Sequence, residues 1–408
     1  MADQLKLVTI PVVDHGLTKD KMDKDALYIL EKLIAKGYSA YLVGGCIRDH
    51  LSGSQPKDYD IVTNAKPKQI LRIFSKSLLI GRRFPLVHVR IPGKRNKVIE
   101  VATFRSKYAD YKARNKFCKL LLKFFIFGNI HQDAQRRDLS SQALYWRLSD
   151  SAILDFHDGY ADIKERKIVV IGDPKVRFQE DPVRILRILR VKAKLGYIID
   201  DNLEQDINTR KGLLAQVSPS RIFGEVIKSF HGGFGVNFLE ILCHYKLENM
   251  LFVDGVLNED SKKWLKLGLA HADKRYEGGL SLSAGYLFAV ILWPLYIKNK
   301  PYNPKATLKH IQKIIAKQHK KTIIPKKNAI MIENIWRLQA RLQKIKAANN
   351  AKKLVKQPSF RAAYDFLLLR AEYDKDLQEI ASLWTGYLSL NPSERDDFKF
   401  INYDINEE

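Results

Sequence analysis

Cysteine is scarce in this 408-residue chain: Cys46, Cys118 and Cys243 are scattered, and none belongs to a CxxC pair. That spacing gives no disulfide framework and no cysteine-based structural zinc, and it fits a reducing, cytoplasmic setting. Long apolar runs are missing too. The longest, Leu280 to Ile297, is interrupted by serine, glycine and Pro294, and falls short of the ~20 apolar residues that a membrane span needs. A buried helix and no membrane span are expected there. A second apolar run, Cys118 to Gly128, is shorter. The N-terminus has no charged segment leading into a long apolar run, so it does not read as a signal peptide. Acids are outnumbered, 45 Asp and Glu against 70 Lys and Arg, for a net charge of +25. Such a surplus favours a polyanionic partner, nucleic acid ahead of a membrane surface.

The imbalance is greatest from Lys298 to Lys356, where Glu333 is the sole acid. Lys305, Lys309, Lys313, Lys317 and Lys321 recur every four residues, which on a helix makes a slowly turning basic ridge. Like charges at that spacing destabilise an isolated helix. Phosphate contacts that release counterions would offset the repulsion. Lys305, Lys309, Lys313 and Lys317 are therefore the candidate RNA-binding residues. Beyond Asn391 the charge reverses sign, and residues 391–408 are expected to be an acidic, disordered tail.

The densest chemistry lies in YLVGGCIRDHLSGSQPKDYDIVTNAKP. Asp58 and Asp60, two apart on an expected strand 58–63, point to one face and can hold hard divalent cations through oxygen. The Gly44-Gly45 turn before them lets backbone N–H groups approach phosphate, with Arg48 as a cationic partner. Glu100, on a later strand 98–104, is the natural third carboxylate for phosphoryl or nucleotidyl transfer on two Mg²⁺ ions, with Mn²⁺ as the possible substitute. Downstream, Arg136, Arg137 and Asp138 are expected to begin a helical stretch. An arginine pair there can fork onto phosphate or base while the Asp accepts from ribose hydroxyls; helix capping with flanking ion pairs is the structural alternative. In Asp181 to Tyr197, Val183, Ile185, Leu186, Leu189 and Ala193 form one helical stripe. Arg184, Arg187 and Arg190 form its neighbour.

The organisation expected is α+β: a compact mixed α/β unit to about residue 150, then an almost wholly helical chain from about residue 180. Residues 1–24 read as a flexible lead-in. No feature calls for an oligomer, so a monomer is the default.

The ordered blocks resemble the class II nucleotidyltransferases, the family of bacterial poly(A) polymerases and tRNA CCA-adding enzymes. The matching residues are Gly44, Gly45, Arg48, Asp49, Asp58, Asp60, Glu100, Arg136, Arg137, Asp138, Glu180, Asp181 and Arg184. Within the family, IGRRFPLVHV, FGNIHQDAQRRD, IIPKKNAIMIENIWRLQARL and PSFRAAYDFLLLRAE are similar to the poly(A) polymerases. The resemblance implies a nucleotidyltransferase-type mixed α/β catalytic head over 25–155, an all-α neck over 156–220 and an all-α RNA-binding body over 221–390. It implies metal ligation by Asp58 and Asp60, with Glu100 completing a catalytic triad. It implies triphosphate contacts by Gly44, Gly45 and Arg48, and sugar placement by Arg137 and Asp138. Base recognition would fall to Asp181 and Arg184, with Arg187 nearby. ATP and RNA 3′ ends are the implied substrates; CCA addition to tRNA and RNA binding without catalysis are the alternatives. The chain departs from the family pattern at Leu139 to Ala143, at His50 and Ser52, and at Lys123 to Phe125 in the loop before Phe127.

Overall fold

The computed structural model describes residues 6–81, 85–91, 93, 97–106, 127–301, 303–345, 347–391, 393–396 and 398–400. Most of the Cys118–Gly128 run, including Lys123 to Phe125, lies outside the described residues, as does the tail from residue 401. The chain divides into two compact units, residues 1–184 with 195–210, and residues 185–194 with 211–408. The neck expected at 156–220 is thus shared between them.

The first unit is built on an eight-stranded sheet of order β1-β8-β7-β2-β3-β6-β5-β4. The strands are β1 (Val8–Ile10), β2 (Ala40–Val43), β3 (Asp60–Thr63), β4 (Ser77–Ile80), β5 (Leu86–Arg90), β6 (Val98–Thr103), β7 (Leu144–Trp146) and β8 (Ile153–Asp155). All neighbours are antiparallel except β3 and β6. That parallel pair needs a crossover, which the helix Pro67–Ile73 and the β4–β5 hairpin supply. β6 alternates, with Ile99, Val101 and Thr103 buried and Val98 and Glu100 exposed, the period-two pattern of a strand with one covered face. On the other side of the sheet, Val43, Val62, Phe104 and Tyr145 form an apolar layer with Ala134 of the helix Ile130–Gln135. That packing places the helix over the face that carries Asp60.

Two expectations about the ends are corrected. The lead-in is not flexible over its described residues: β1 pairs with β8, Trp146 Nε1 donates to the Leu17 carbonyl at 2.9 Å, and Tyr160 OH to that of Asp14 at 2.6 Å. The tail is not disordered through Phe400. Phe400 is buried against Trp384 and Tyr387, and Arg395 donates to the carbonyls of Tyr387 and Leu388. Apolar burial of two aromatic rings outweighs the sparse acids around them.

In the second unit the apolar run becomes the helix Ala284–Lys298, buried from Leu287 through Trp293. Pro294 cannot donate to the carbonyl four residues back, and Trp264 Nε1 donates to that Val290 oxygen instead, at 2.8 Å. The basic ridge forms on the helix Pro304–Lys321, which buries Ile311, Ile314 and Gln318. Among the described residues no helix is long and apolar enough to cross a membrane.

Candidate active site

The turn after β2 fixes the first part of the site. Gly44 has φ 86° and ψ −132°, a conformation costly for any residue with a Cβ. A methyl placed on Gly44 would lie 3.7 Å from Arg137 Nη1 and 4.0 Å from Asp60 Oδ2. The turn, an acid and an arginine from three chain segments therefore meet at one point. Gly45 opens the helix Gly45–Leu51. Arg48 does not face outward as expected for a triphosphate contact: it is 4% exposed and donates Nε and Nη2 to Asp49 Oδ1 at 3.0 and 2.6 Å. It braces the turn from beneath.

Asp60 begins β3 and stands opposite Val43 on β2 and Glu100 on β6. Directly paired residues on neighbouring strands share a face, so Asp60 and Glu100 project side by side, both exposed. Asp58 is exposed and lies before the strand, which starts two residues later than expected. Among the described residues no three His, Cys, Asp or Glu side chains converge as a closed metal site, so the expected triad is a set of neighbouring carboxylates rather than a formed cage. Exposed carboxylate oxygens side by side on two central strands do suit hard cations that keep part of their water. Beside them Glu100 Oε1 lies 3.3 Å from His88 Nε2 on β5. The Cys46 thiol is pushed up to about 12 by burial, with Asp60 adding to the shift, so it is not a nucleophile here.

The residue between the two aspartates is also tied down. Burial lowers His50 and pushes the Tyr59 phenol up to about 12. The imidazole and the phenol are hydrogen-bonded to each other, at 2.7 Å between Tyr59 OH and His50 Nε2. Ser52, the other departure on this helix, bonds Tyr197 OH at 2.6 Å. Because Asp58 lies outside regular structure, the His50–Tyr59 link orients the loop that carries it. His50→Leu and Tyr59→Phe are each expected to lower kcat several-fold, given that a small misplacement costs up to about 10²-fold. The double variant should be no worse than either alone, and His50→Gln, which keeps an acceptor, should recover most of the loss. Additive effects in steady-state kinetics would contradict this.

Asp133 is the main functional residue that the sequence reading missed. Its side chain has no solvent exposure. It accepts from Arg136 Nε at 2.9 Å, Arg137 Nη2 at 2.9 Å, Tyr145 OH at 2.9 Å and the Arg105 amide at 3.2 Å. Burial alone would raise this carboxyl, but Arg137 and Arg136 hold it down at about 2. Burial, and Arg136 beside it, push Arg105 down to about 10. Two guanidinium groups thus grip one buried carboxylate, with the Arg105 amide as a further donor, a local cationic excess next to Gly44 and Asp60. The signal was an acid three and four residues before two arginines, the spacing of same-face partners on a helix. That helix, Ile130–Gln135, ends before the arginines instead of beginning with them, and Arg136 is its C-cap.

Asp138 Oδ1 accepts from Arg184 Nε at 2.7 Å, and Arg184 Nη1 donates to Glu180 Oε2 at 3.0 Å. Arg177, also missed, is 3% exposed and donates Nη2 to the carbonyls of Arg136 and Arg137 at 2.8 and 2.7 Å. It joins the Arg136-Arg137-Asp138 block to the Glu180-Asp181 block. Asp181 follows the helix Pro174–Glu180 as its C-cap, and its carboxylate accepts from the Val183 amide at 3.3 Å. The divergent segment after Asp138 is a buried one-turn wedge, Ser140–Gln142. Ser140 Oγ bonds Asp162 at 2.5 Å, and a methyl on Gly159 would come within 2.2 Å of the Ser140 carbonyl, so only glycine fits there. The Gln142 carbonyl accepts from Arg137 Nη1 at 3.3 Å. In the second unit, Arg187 donates Nε to Glu225 Oε1 at 3.1 Å. Lys305, Lys309, Lys313 and Lys317 are exposed along their helix.

Comparison with known proteins bears on this arrangement. Residues 40–169 match the family described as "Poly A polymerase head domain", residues 196–254 "Probable RNA and SrmB- binding site of polymerase A", and residues 299–400 "Polymerase A arginine-rich C-terminus". The chain is 34% identical over 411 residues to Poly(A) polymerase I of Escherichia coli O6:H1, covering 96% of this chain and 88% of the relative. To Poly(A) polymerase I of Haemophilus influenzae it is 35% identical over 407 residues, covering 95% and 89%. A CCA-adding enzyme of Geobacillus sp. is 32% identical over 274 residues, 67% of this chain and 63% of that one. Among solved structures, the Bacillus stearothermophilus CCA-adding enzyme in complex with CTP has the same fold, with TM-score 0.62, 23% identity, and coverage of 91% and 87%.

Proposed function

The chain belongs to the poly(A) polymerase family, and from that premise we propose a template-independent polymerase that adds AMP from ATP to RNA 3′ ends. The observation that carries the choice within the family is the reach of the likeness. Similarity to the poly(A) polymerases runs through 96% of the chain, whereas the CCA-adding relative covers 67%.

In this reading the RNA 3′ oxygen attacks the α-phosphorus of ATP in line, the bond to the β-phosphate oxygen breaks, and pyrophosphate leaves. Asp58 and Asp60 hold divalent cations, Mg²⁺ or Mn²⁺, with Glu100 alongside. Such cations would neutralise charge on the reacting phosphate and favour loss of the 3′-hydroxyl proton. Gly44 and Gly45 let the triphosphate approach the backbone closely. Arg137, held rigid by Asp133, supplies positive charge beside them, and Arg48 keeps the turn in shape. Asp138, Asp181 and Arg184 face the sugar and base. The Asp138–Arg184 hydrogen bond fixes a polar edge against which a base is matched, and a mismatched base would leave buried polar groups unpaired. Arg187, paired with Glu225, stiffens the helix that carries Arg184. The lysines of Pro304–Lys321 hold RNA through its phosphates, with little sequence preference.

The test offers a short unstructured RNA and a tRNA lacking its CCA end in equal amounts with all four nucleotides. Both should grow adenylate tails with no fixed stop. Extension of the tRNA alone, halting after a few additions, would replace this reading with CCA addition. RNA binding with no incorporation would indicate a non-catalytic relative.

A further inference from the structure

The basic helix of the second unit does more than present charge. Along Pro304–Lys321, His310, Lys313, Ile314 and Lys317 fall on one face, and together they line one side of a cleft of about 300 Å³. The other walls are Leu295 and Asn299, at the end of the Ala284–Lys298 helix, and Val253 with Asp254. The loop that bears Val253 is held in place by buried groups. Gln318, with no exposure, donates to the Leu251 carbonyl at 2.8 Å and accepts from the Val253 amide at 3.0 Å, and Thr322 Oγ1 also donates to Leu251, at 2.6 Å. The cleft is therefore formed in advance of any ligand. His310, its ring tilted against Tyr296 with centroids 6.0 Å apart, keeps Nε2 buried with no hydrogen-bond partner among the described residues. A buried polar atom left unpaired costs about 1–3 kcal/mol, which a bound polar group would relieve.

We propose that this cleft holds one internal nucleotide of the RNA, upstream of the growing end. The inference rests on the reading that the basic helix contacts RNA, and it adds where a base, as distinct from the phosphates, is received. The chemistry is that of a nucleotide rather than of a bare anion. Val253, Leu295 and Ile314 offer an apolar surface to the face of a base. The ammonium groups of Lys313 and Lys317 suit its phosphate. Asp254 and Asn299 can accept from ribose hydroxyls or an exocyclic amine, and a carboxylate in this position would repel a simple phosphate. The volume is at the lower end of small-molecule sites, enough for one nucleotide. Lys305 and Lys309 lie on the same helix but outside the cleft, so they serve the phosphates only.

The experiment compares oligoadenylate with an abasic oligomer of equal length, by fluorescence anisotropy over a salt series. Wild-type protein should prefer oligoadenylate by roughly tenfold, the size of one stacked base. Asn299→Trp, at an exposed position, fills the mouth without changing charge. It should erase that preference while keeping the salt slope. Lys313→Ala with Lys317→Ala should reduce both the preference and the slope. Lys305→Ala with Lys309→Ala should reduce the slope alone. If Asn299→Trp and the Lys313/Lys317 variant both keep the wild-type preference, the cleft is not a nucleotide site, even where the Lys305/Lys309 variant shows that the ridge binds RNA. If none of the lysine variants alters affinity or slope, the RNA reading of the helix itself fails. Saturating free AMP should compete with oligoadenylate for the cleft. AMP that binds there without displacing RNA would make it a free-nucleotide site and overturn the proposal.

Discussion

Asp60→Asn should cut AMP incorporation by at least about 10³-fold, roughly 4 kcal/mol of barrier, while thermal unfolding stays close to wild type. The two halves of this expectation come from the same geometry. Asp60 and Glu100 stand abreast on parallel strands, at the open end of a face whose deeper positions are closed by Val62 and Phe104. An exposed carboxylate contributes little to the core, so its loss leaves the fold intact. In the proposed mechanism its contribution lies in cation binding next to the Gly44 turn. Asp58→Asn should behave alike, and the defect should be only partly reversed by raising Mg²⁺. Normal turnover by either variant would remove the carboxylates from the catalytic role. Loss of activity that tracks loss of folding would make them structural.

Asp133→Asn should be damaging in a different way. The substitution preserves size but leaves Arg136 and Arg137 gathered around a neutral amide in a buried position. Breaking a buried ion pair by removing one partner costs about 3–5 kcal/mol, so denaturant unfolding should shift by that order. Turnover should fall as well, because Arg137 loses the acceptor that aims it beside Gly44 and Asp60. The pH dependence separates this from a simple packing defect. The carboxyl is depressed in the folded chain from 3.8 to about 2. Its stabilisation is therefore present above about pH 4 and is lost as pH falls through 2, worth ~2 kcal/mol in all. Wild-type protein should show that acid-side slope, and Asp133→Asn should lack it. Equal slopes in the two proteins would contradict the assigned role.

What could be read from the sequence follows from the range of the forces involved. Period-two burial in β6 and the Gly44-Gly45 turn are local patterns, and the strand and turn assignments drawn from them lie within a residue or two of the structure. The start of β3 at Asp60 is the clearest shift there. Arg177 has one local partner, Glu180 three residues on, but the carbonyls that join it to the Arg136-Arg137 segment are 40 and 41 residues away and leave no local signal. Arg48 looked like a phosphate ligand because its neighbour Asp49 was not counted as its partner. β1 is a three-residue edge strand, too short for periodicity to register, and its pairing with β8 is held by non-local anchors such as Trp146. In the tail, the sign of the charges drew attention from Phe398 and Phe400, whose alternation was the better guide to docking. The polar residues His50 and Ser52 have their partners in Tyr59 and Tyr197, the second of them 145 residues away in the chain.

The central claim concerns which nucleotide this head joins to RNA. The most direct measurement is the extension of one short RNA without a tRNA-like end, in Mg²⁺, with ATP alone and with CTP alone. A long ladder with ATP, and at most a trace with CTP, is the result this account predicts. Equal use of the two nucleotides, or incorporation from CTP with a fixed stop, would contradict it.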